Sequence, residues 1–145
     1  ILRHLEKASC RSLQFQALDT NHLAGRSSAL PERECHGYLF SENSKRVAYM
    51  VDSSSDLPSS TLSALKGSVG DKLDCLVFEC TFDRYPGPGR GHSDHEGVLK
   101  IRDLLKPERM ILSHISHRNS GHDELAAFMG RHGIEVAFDG LSIEV

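Results

Sequence analysis

The chain has 145 residues, enough for one domain whose core buries roughly two-thirds of the surface of the unfolded chain. It carries 17 basic and 20 acidic residues, a net charge of −3 and no long basic run, which argues against a nonspecific nucleic-acid surface. No apolar stretch approaches the length of a membrane span, and the first residues of this sequence show no signal-peptide pattern. The 4 cysteines form no Cys-x-x-Cys pair, which is typical of buried free thiols in the cytoplasm. Because the chain starts at Ile1 and not at Met, we expect a segment of a longer protein.

Short apolar segments that suit β-strands alternate along the chain with segments of helical periodicity. In chain order, we predict strands at 12–18, 37–40 and 46–51, a helix at 58–65, a strand at 75–79, a helix at 94–105, a strand at 110–113, a helix at 123–132, and strands at 135–138 and 141–145. Loops are predicted at 21–34 and 82–91 from their Gly, Pro and Ser content, and a hairpin turn at Glu42-Asn43-Ser44 is predicted to join the strands at 37–40 and 46–51. Ser55 or Asp56 is expected to cap the first helix, and Ser93 or Asp94 the second. The alternation predicts an α/β fold.

Polar side chains follow several of these strands, at the edge where α/β sheets place their sites. Asp52 follows four apolar residues, and its two carboxylate oxygens can bridge two cations. His114 ends a buried strand, and imidazole is the commonest metal ligand. We predict that His22, Asp52 and His114 are metal ligands. The alternatives are a solvated loop histidine, a turn-capping aspartate and a histidine bonded at the sheet edge.

His92 lies just before a predicted helix, a position that suits contact with an anion. We predict that His92 is catalytic, as a proton donor, although a ligand role is the alternative. Asp94 is predicted to orient the His92 ring, and a helix cap is its alternative. The remaining histidines are expected to be structural or exposed, and they are His4, His36, His95, His117, His122 and His132.

Taken in order, these motifs resemble the metallo-β-lactamase superfamily, in its phosphodiesterase branch, and especially the phosphoribosyl 1,2-cyclic phosphate phosphodiesterase-like proteins. The matching segments are Thr20-Asn21-His22, His36-Gly37-Tyr38-Leu39-Phe40, Val47-Ala48-Tyr49-Met50-Val51-Asp52, Asp56-Leu57-Pro58, Leu76-Val77-Phe78-Glu79-Cys80, His92-Ser93-Asp94, Ile111-Leu112-Ser113-His114-Ile115-Ser116-His117 and Ala137-Phe138-Asp139-Gly140-Leu141-Ser142-Ile143. Singly the motifs are modest, but their ordered set is specific.

The resemblance implies an αββα sandwich with two divalent metal ions, Mn²⁺ or Zn²⁺, and hydrolysis of a small, cyclic phosphodiester. By this resemblance His22 would join the first metal, Asp52 would bridge both, and His114 would join the second. A water-derived nucleophile would attack phosphorus, and His92 would protonate the leaving alkoxide.

One family motif, His-x-His-x-Asp-His, is absent from the sequence. We therefore expect residues 1–145 to form a single partial domain, the C-terminal half of the sandwich, whose partner is the missing N-terminal half. Alone it would keep at most three ligands, bind metal weakly and be inactive. A homodimer of this chain is the other arrangement left open by the sequence.

Two other functions compete with the phosphodiesterase. Gly91-His92-Ser93 and Glu79-Cys80-Thr81-Phe82 also resemble ribonuclease Z, a tRNA 3′-processing endonuclease, so nucleic acid is not excluded as a substrate. The other alternative is a non-catalytic binding module whose histidines are incidental.

Overall fold

The chain forms one seven-stranded mixed sheet with three helices, in a computed structural model that describes residues 3–23, 34–84 and 91–145. The elements are β1 Lys7–Cys10, β2 Leu13–Leu23, β3 Glu34–Glu42, β4 Lys45–Met50, α1 Ser59–Lys66, β5 Cys75–Glu79, α2 His95–Leu105, β6 Arg109–Ser113, α3 His122–Gly130 and β7 Ile134–Val136. The strands lie side by side in chain order. Neighbours from β1 to β4 are antiparallel, and neighbours from β4 to β7 are parallel. The predicted α/β class is confirmed.

The parallel half of the sheet buries one face against the helices. Successive strand residues point to opposite faces, so residues two apart share a face. The buried strand residues on this face are Ala48, Met50, Leu76, Phe78, Met110, Leu112, Ile134 and Val136. They cluster with Leu65 of α1, Val98 and Ile101 of α2, and Leu125 and Met129 of α3. This packing fixes where each parallel strand ends, and therefore where the following loop starts.

The opposite face carries aromatic side chains that remain partly accessible to solvent. Phe15 pairs with Phe40 across β2 and β3, and Tyr38 pairs with Tyr49 across β3 and β4. The rings of Phe15 and Phe40 are 6.5 Å apart, and those of Tyr38 and Phe40 are 6.2 Å apart. Tyr49 is 43% exposed. We call this aromatic surface the open face.

The hairpin between β3 and β4 turns at Asn43 and Ser44, as predicted. Both residues have positive φ, 49° and 68°, and two consecutive positive φ angles define the tight turn that suits the twist of a hairpin. The prediction of this connection is confirmed.

Several boundaries differ from the sequence predictions. The strand β1 was not predicted, and the strand predicted at 141–145 is wrong, since these residues adopt no strand. β2 continues to Leu23, so the loop predicted at 21–34 starts too early, and residues 24–33 lie outside the described ones. The N-cap of α1 is Pro58 and not Ser55 or Asp56.

The prediction of buried free thiols holds for two of the four cysteines. All four cysteines are free, although only Cys75 and Cys80 are buried, and Cys10 is exposed. In residues 3–23, 34–84 and 91–145, no helix is long and apolar enough to cross a membrane.

Candidate metal centre

Four potential metal ligands converge at the carboxyl ends of the parallel strands. Asp52 follows β4, Glu79 ends β5, His114 follows β6, and His92 lies on the segment that leads into α2. One ligand atom from each of the four lies within 4.8 Å of the others. Parallel strands end at a common edge, so loops that are distant in sequence meet there.

The two carboxylates and the two imidazoles face one another in pairs. Asp52 Oδ1 is 3.2 Å from His114 Nε2 and 3.9 Å from His92 Nδ1. Glu79 Oε2 is 2.9 Å from His92 Nδ1 and 3.6 Å from His114 Nδ1. The rings of His92 and His114 stack with centroids 5.6 Å apart. The predicted residues Asp52, His92 and His114 are therefore brought together.

His22 reaches the same site from the antiparallel half of the sheet. It lies on β2 in the irregular stretch between Asp19 and Leu23, where the pairing with β3 shifts register. His22 Nε2 is 3.3 Å from His92 Nε2. His22 Nδ1 is buried and has no hydrogen-bond partner among the described residues. Burial, followed by the neighbouring His92, lowers the pKa of His22, so its ring is neutral near pH 7 and has lone-pair density for a cation.

Glu79 is a buried carboxylate that joins the loops around the site. Its side chain is fully buried and accepts backbone N–H bonds from Ser53, at 2.9 Å, and Ser93, at 2.6 Å. Ser53 directly follows Asp52, and Ser93 directly follows His92. Glu79 thus holds one residue on each side of the site through a single side chain. The sequence marked it only as the end of a strand, and it had no predicted role.

The structure places Asp94 at the start of α2. Its Oδ1 accepts a hydrogen bond from the backbone N–H of Gly97 at 2.9 Å, which is an N-cap. The carboxylate 2.9 Å from His92 Nδ1 belongs to Glu79. The capping alternative for Asp94 is therefore the one that the structure shows, and Glu79 occupies the orienting position predicted for Asp94.

Three site segments have left-handed backbone conformations. The φ angles are 55° at Asn21, 49° at Asp52 and 51° at His114. Such angles are uncommon outside glycine, and they concentrate at functional sites. They turn the chain sharply where β4 and β6 end, which directs the Asp52 and His114 side chains toward each other.

His95 keeps the structural role expected by default. Its Nε2 lies 2.9 Å from Asn119 Oδ1, and its ring stacks on Phe128 with centroids 5.1 Å apart. These contacts tie α2 to α3 beside the site.

The residues of this centre fit a divalent transition metal. Imidazole nitrogen and carboxylate oxygen are the donors that zinc and manganese accept, and both types converge here. Beside them lies the buried His22 Nδ1, for which the described part of the chain offers no hydrogen-bond partner. The mixed sheet, with this cluster at the carboxyl ends of its parallel strands, is typical of metal-binding α/β domains.

Residues 3–115 match the model of a family described as "Beta-lactamase superfamily domain", and the chain belongs to this family. The resemblance found in the sequence is thereby confirmed. Coenzyme PQQ synthesis protein B of Pseudomonas putida (strain W619) is 33% identical over 103 residues, which cover 54% of this chain and 34% of that protein.

Solved structures share the fold over nearly the whole chain. A diphosphatase from the PhnP family has 27% identity and a TM-score of 0.71, covering 99% of this chain and 47% of that one. Zn²⁺-bound PqqB from Methylobacterium extorquens has 17% identity and a TM-score of 0.72, covering 99% and 55%. Human tRNase Z, short form, has 16% identity and a TM-score of 0.62, covering 95% and 45%. The chain thus spans about half the length of these structures and a third of the curated relative.

Proposed function

We propose that this chain is part of a metal-dependent hydrolase that cleaves a small phosphodiester at the centre formed by Asp52, His92 and His114. The observation that carries the proposal is the convergence of two imidazoles and two carboxylates within 4.8 Å at the carboxyl edge of the sheet. Family membership and the likeness to a PhnP-family diphosphatase at 27% identity support phosphoryl chemistry.

In this proposal Asp52, His114 and His22 hold two divalent metal ions, Zn²⁺ or Mn²⁺. Asp52 Oδ1 lies 3.2 Å from His114 Nε2, and the second oxygen of a carboxylate could bind the other ion. Bound metals would supply an activated water and positive charge opposite the phosphoryl oxygens.

His92 is placed to handle the leaving group. Its Nδ1 lies 2.9 Å from the buried Glu79 carboxylate, which accepts the Nδ1 proton and fixes the ring. The Nε2 atom then points away from Glu79 and can carry the exchangeable proton. A proton given from Nε2 to the leaving alkoxide oxygen would complete phosphoester cleavage.

We further propose that the remaining metal ligands lie on a second half of the domain, which packs on the open face. The partly exposed aromatic residues of that face, including Tyr49, support an apolar partner. The chain's span of about half the relatives' length supports a partner of similar size. A homodimer that covers the same face is the competing arrangement, and the mass of the intact protein in solution separates the two.

Metal content and hydrolysis of bis-p-nitrophenyl phosphate by the intact protein test the function. We expect bound zinc or manganese, and a loss of activity of at least about a hundredfold in His114→Ala, because removing a ligand opens the site. The matched control is His117→Ala, since His117 is exposed and lies three residues further on the same loop.

If the intact protein contains no metal, or if His114→Ala keeps full activity, the proposal of a metal-dependent hydrolase is wrong. Cleavage of a tRNA precursor in preference to small diesters would instead favour the ribonuclease Z-like alternative.

A further inference from the structure

Thr81 is a buried hydroxyl between the two sides of the candidate metal centre. It follows β5 by two residues and is 6% exposed. Its Oγ1 lies 3.0 Å from Glu79 Oε1, 3.1 Å from His114 Nδ1 and 3.3 Å from the His114 carbonyl oxygen. No role in the proposed reaction has so far been assigned to it.

The direction of these hydrogen bonds follows from the groups involved. A hydroxyl has one proton to donate and two lone pairs, whereas an ionised carboxylate only accepts. Because Glu79 is fully buried, an oxygen of its carboxylate without a hydrogen-bond donor would cost more free energy than an unpaired group in water. The Thr81 proton therefore goes to Glu79 Oε1, the shortest of its contacts. The lone pairs of Thr81 Oγ1 are then free to accept a proton from His114 Nδ1.

The neighbouring His92 does not compete strongly for this hydroxyl. Its Nδ1 is 3.4 Å from Thr81 Oγ1 but only 2.9 Å from Glu79 Oε2. The His92 proton is thus directed to the carboxylate itself, and Thr81 serves His114.

We propose that Thr81 is a positioning residue, which orients the His114 ring by accepting its Nδ1 proton while its own hydroxyl proton goes to Glu79. His114 Nε2 is then left for a metal ion, whereas without a metal ion Asp52 Oδ1, which only accepts, draws the ring proton to Nε2. Nε2 is the atom 3.2 Å from Asp52 Oδ1, on the side where the proposed metal would lie. A ligating histidine normally donates its other ring N–H to an acceptor, which orients the ring and raises its basicity. This role rests on the proposed function, because the ring proton stays on Nδ1 when a metal ion occupies Nε2.

The His114 Nδ1 proton is observed by ¹H–¹⁵N NMR of the zinc-loaded intact protein, and His114→Gln assigns its signal. We expect a slowly exchanging Nδ1–H signal in the wild type and in Thr81→Ser, which keeps the hydroxyl. In Thr81→Val this proton loses its acceptor, so its signal should be lost to exchange with water.

Zinc affinity, measured by competition with a chelating dye, tests the consequence. Thr81→Val should bind zinc about 10–100-fold more weakly than the wild type, while Thr81→Ser stays within about threefold. A general packing defect would not be rescued by serine, which lacks the methyl group. Circular dichroism checks that each variant is folded.

The outcomes separate the two proposals. A wild-type protein that binds zinc but shows no protected His114 Nδ1–H signal would overturn the role of Thr81, and this measurement needs no variant to fold. Equal zinc affinity in Thr81→Val and the wild type would also overturn it. A wild-type protein that binds no zinc would instead refute the metal centre, and the role of Thr81 would fall with it.

Discussion

Replacing Glu79 by glutamine should weaken the fold as well as the site. The two Glu79 oxygens accept the backbone N–H groups of Ser53 and Ser93, and an amide nitrogen can accept neither. Whichever oxygen becomes the NH₂ group, one buried N–H loses its partner at a cost of about 1–3 kcal/mol. The bonds to His92 and Thr81 also lose their charge-assisted part. Glutamine is neutral, so the cost of burying a charge disappears and offsets part of these losses. We therefore expect a net destabilisation of about 2–4 kcal/mol.

Urea unfolding of the metal-free chain, followed by circular dichroism, measures this change as a shift in midpoint at constant slope. The control is Glu108→Gln, because Glu108 is 49% exposed and pairs with the exposed Lys72. Because solvent screens that pair, its loss should leave the midpoint nearly unchanged. If Glu79→Gln were as stable as Glu108→Gln, the idea that one buried carboxylate ties the loops together would be wrong.

Three further substitutions test other parts of the structure. In Gly37→Ala the new methyl group would lie 2.8 Å from the Tyr49 carbonyl oxygen, so thermal melts should show a decrease of about 1–3 kcal/mol in the free energy of unfolding. Gly121→Ala is the control, because its methyl group would enter open space and should leave the stability unchanged. Asp94→Ala should cost about 1 kcal/mol in urea and Asp94→Ser much less, and equal losses would contradict the cap. Burial lowers the pKa of His22 in the folded chain below its usual 6.5. As pH falls from 6.5 through this lowered pKa, the unfolded chain therefore binds the proton more readily, and the free energy of unfolding decreases. His22→Gln should flatten this acid loss in urea titrations, and an unchanged pH profile would refute it.

The parts of the fold that were predicted from sequence are those with strong local patterns. The strand Cys75–Glu79 is an unbroken apolar run, and its predicted bounds are the observed ones. The helix after Asp94 combines a capping residue with apolar positions at helical spacing. Such segments carry enough information within themselves to be assigned without knowing their neighbours.

Prediction fails where strand formation depends on a partner. β1 is only 4 residues long and mostly exposed, yet it forms because it pairs with β2, as Ala8 does with Phe15. The segment 141–145 alternates apolar and polar residues but adopts no strand, and Leu141 N–H instead closes a turn on the Phe138 carbonyl oxygen. Pairing between strands is not visible in one segment's composition.

The same limit applies to the candidate site. Asp52, His92 and His114 could be predicted because each follows or precedes an element with a clear pattern. The role of Glu79 could not, since its N–H donors lie 26 and 14 residues away in the chain. A carboxylate whose partners are backbone groups leaves no motif in the sequence.

The left-handed backbone at Asp52 and His114 also limits how this centre can be re-engineered. Asparagine, aspartate, histidine and glycine tolerate such torsions, but most other residues pay about 1 kcal/mol or more for them. Replacing Asp52 by glutamate, or His114 by cysteine, to alter the metal preference would therefore also strain the backbone at the substituted residue. In the proposed metal centre, the backbone therefore restricts these two positions to a few side chains.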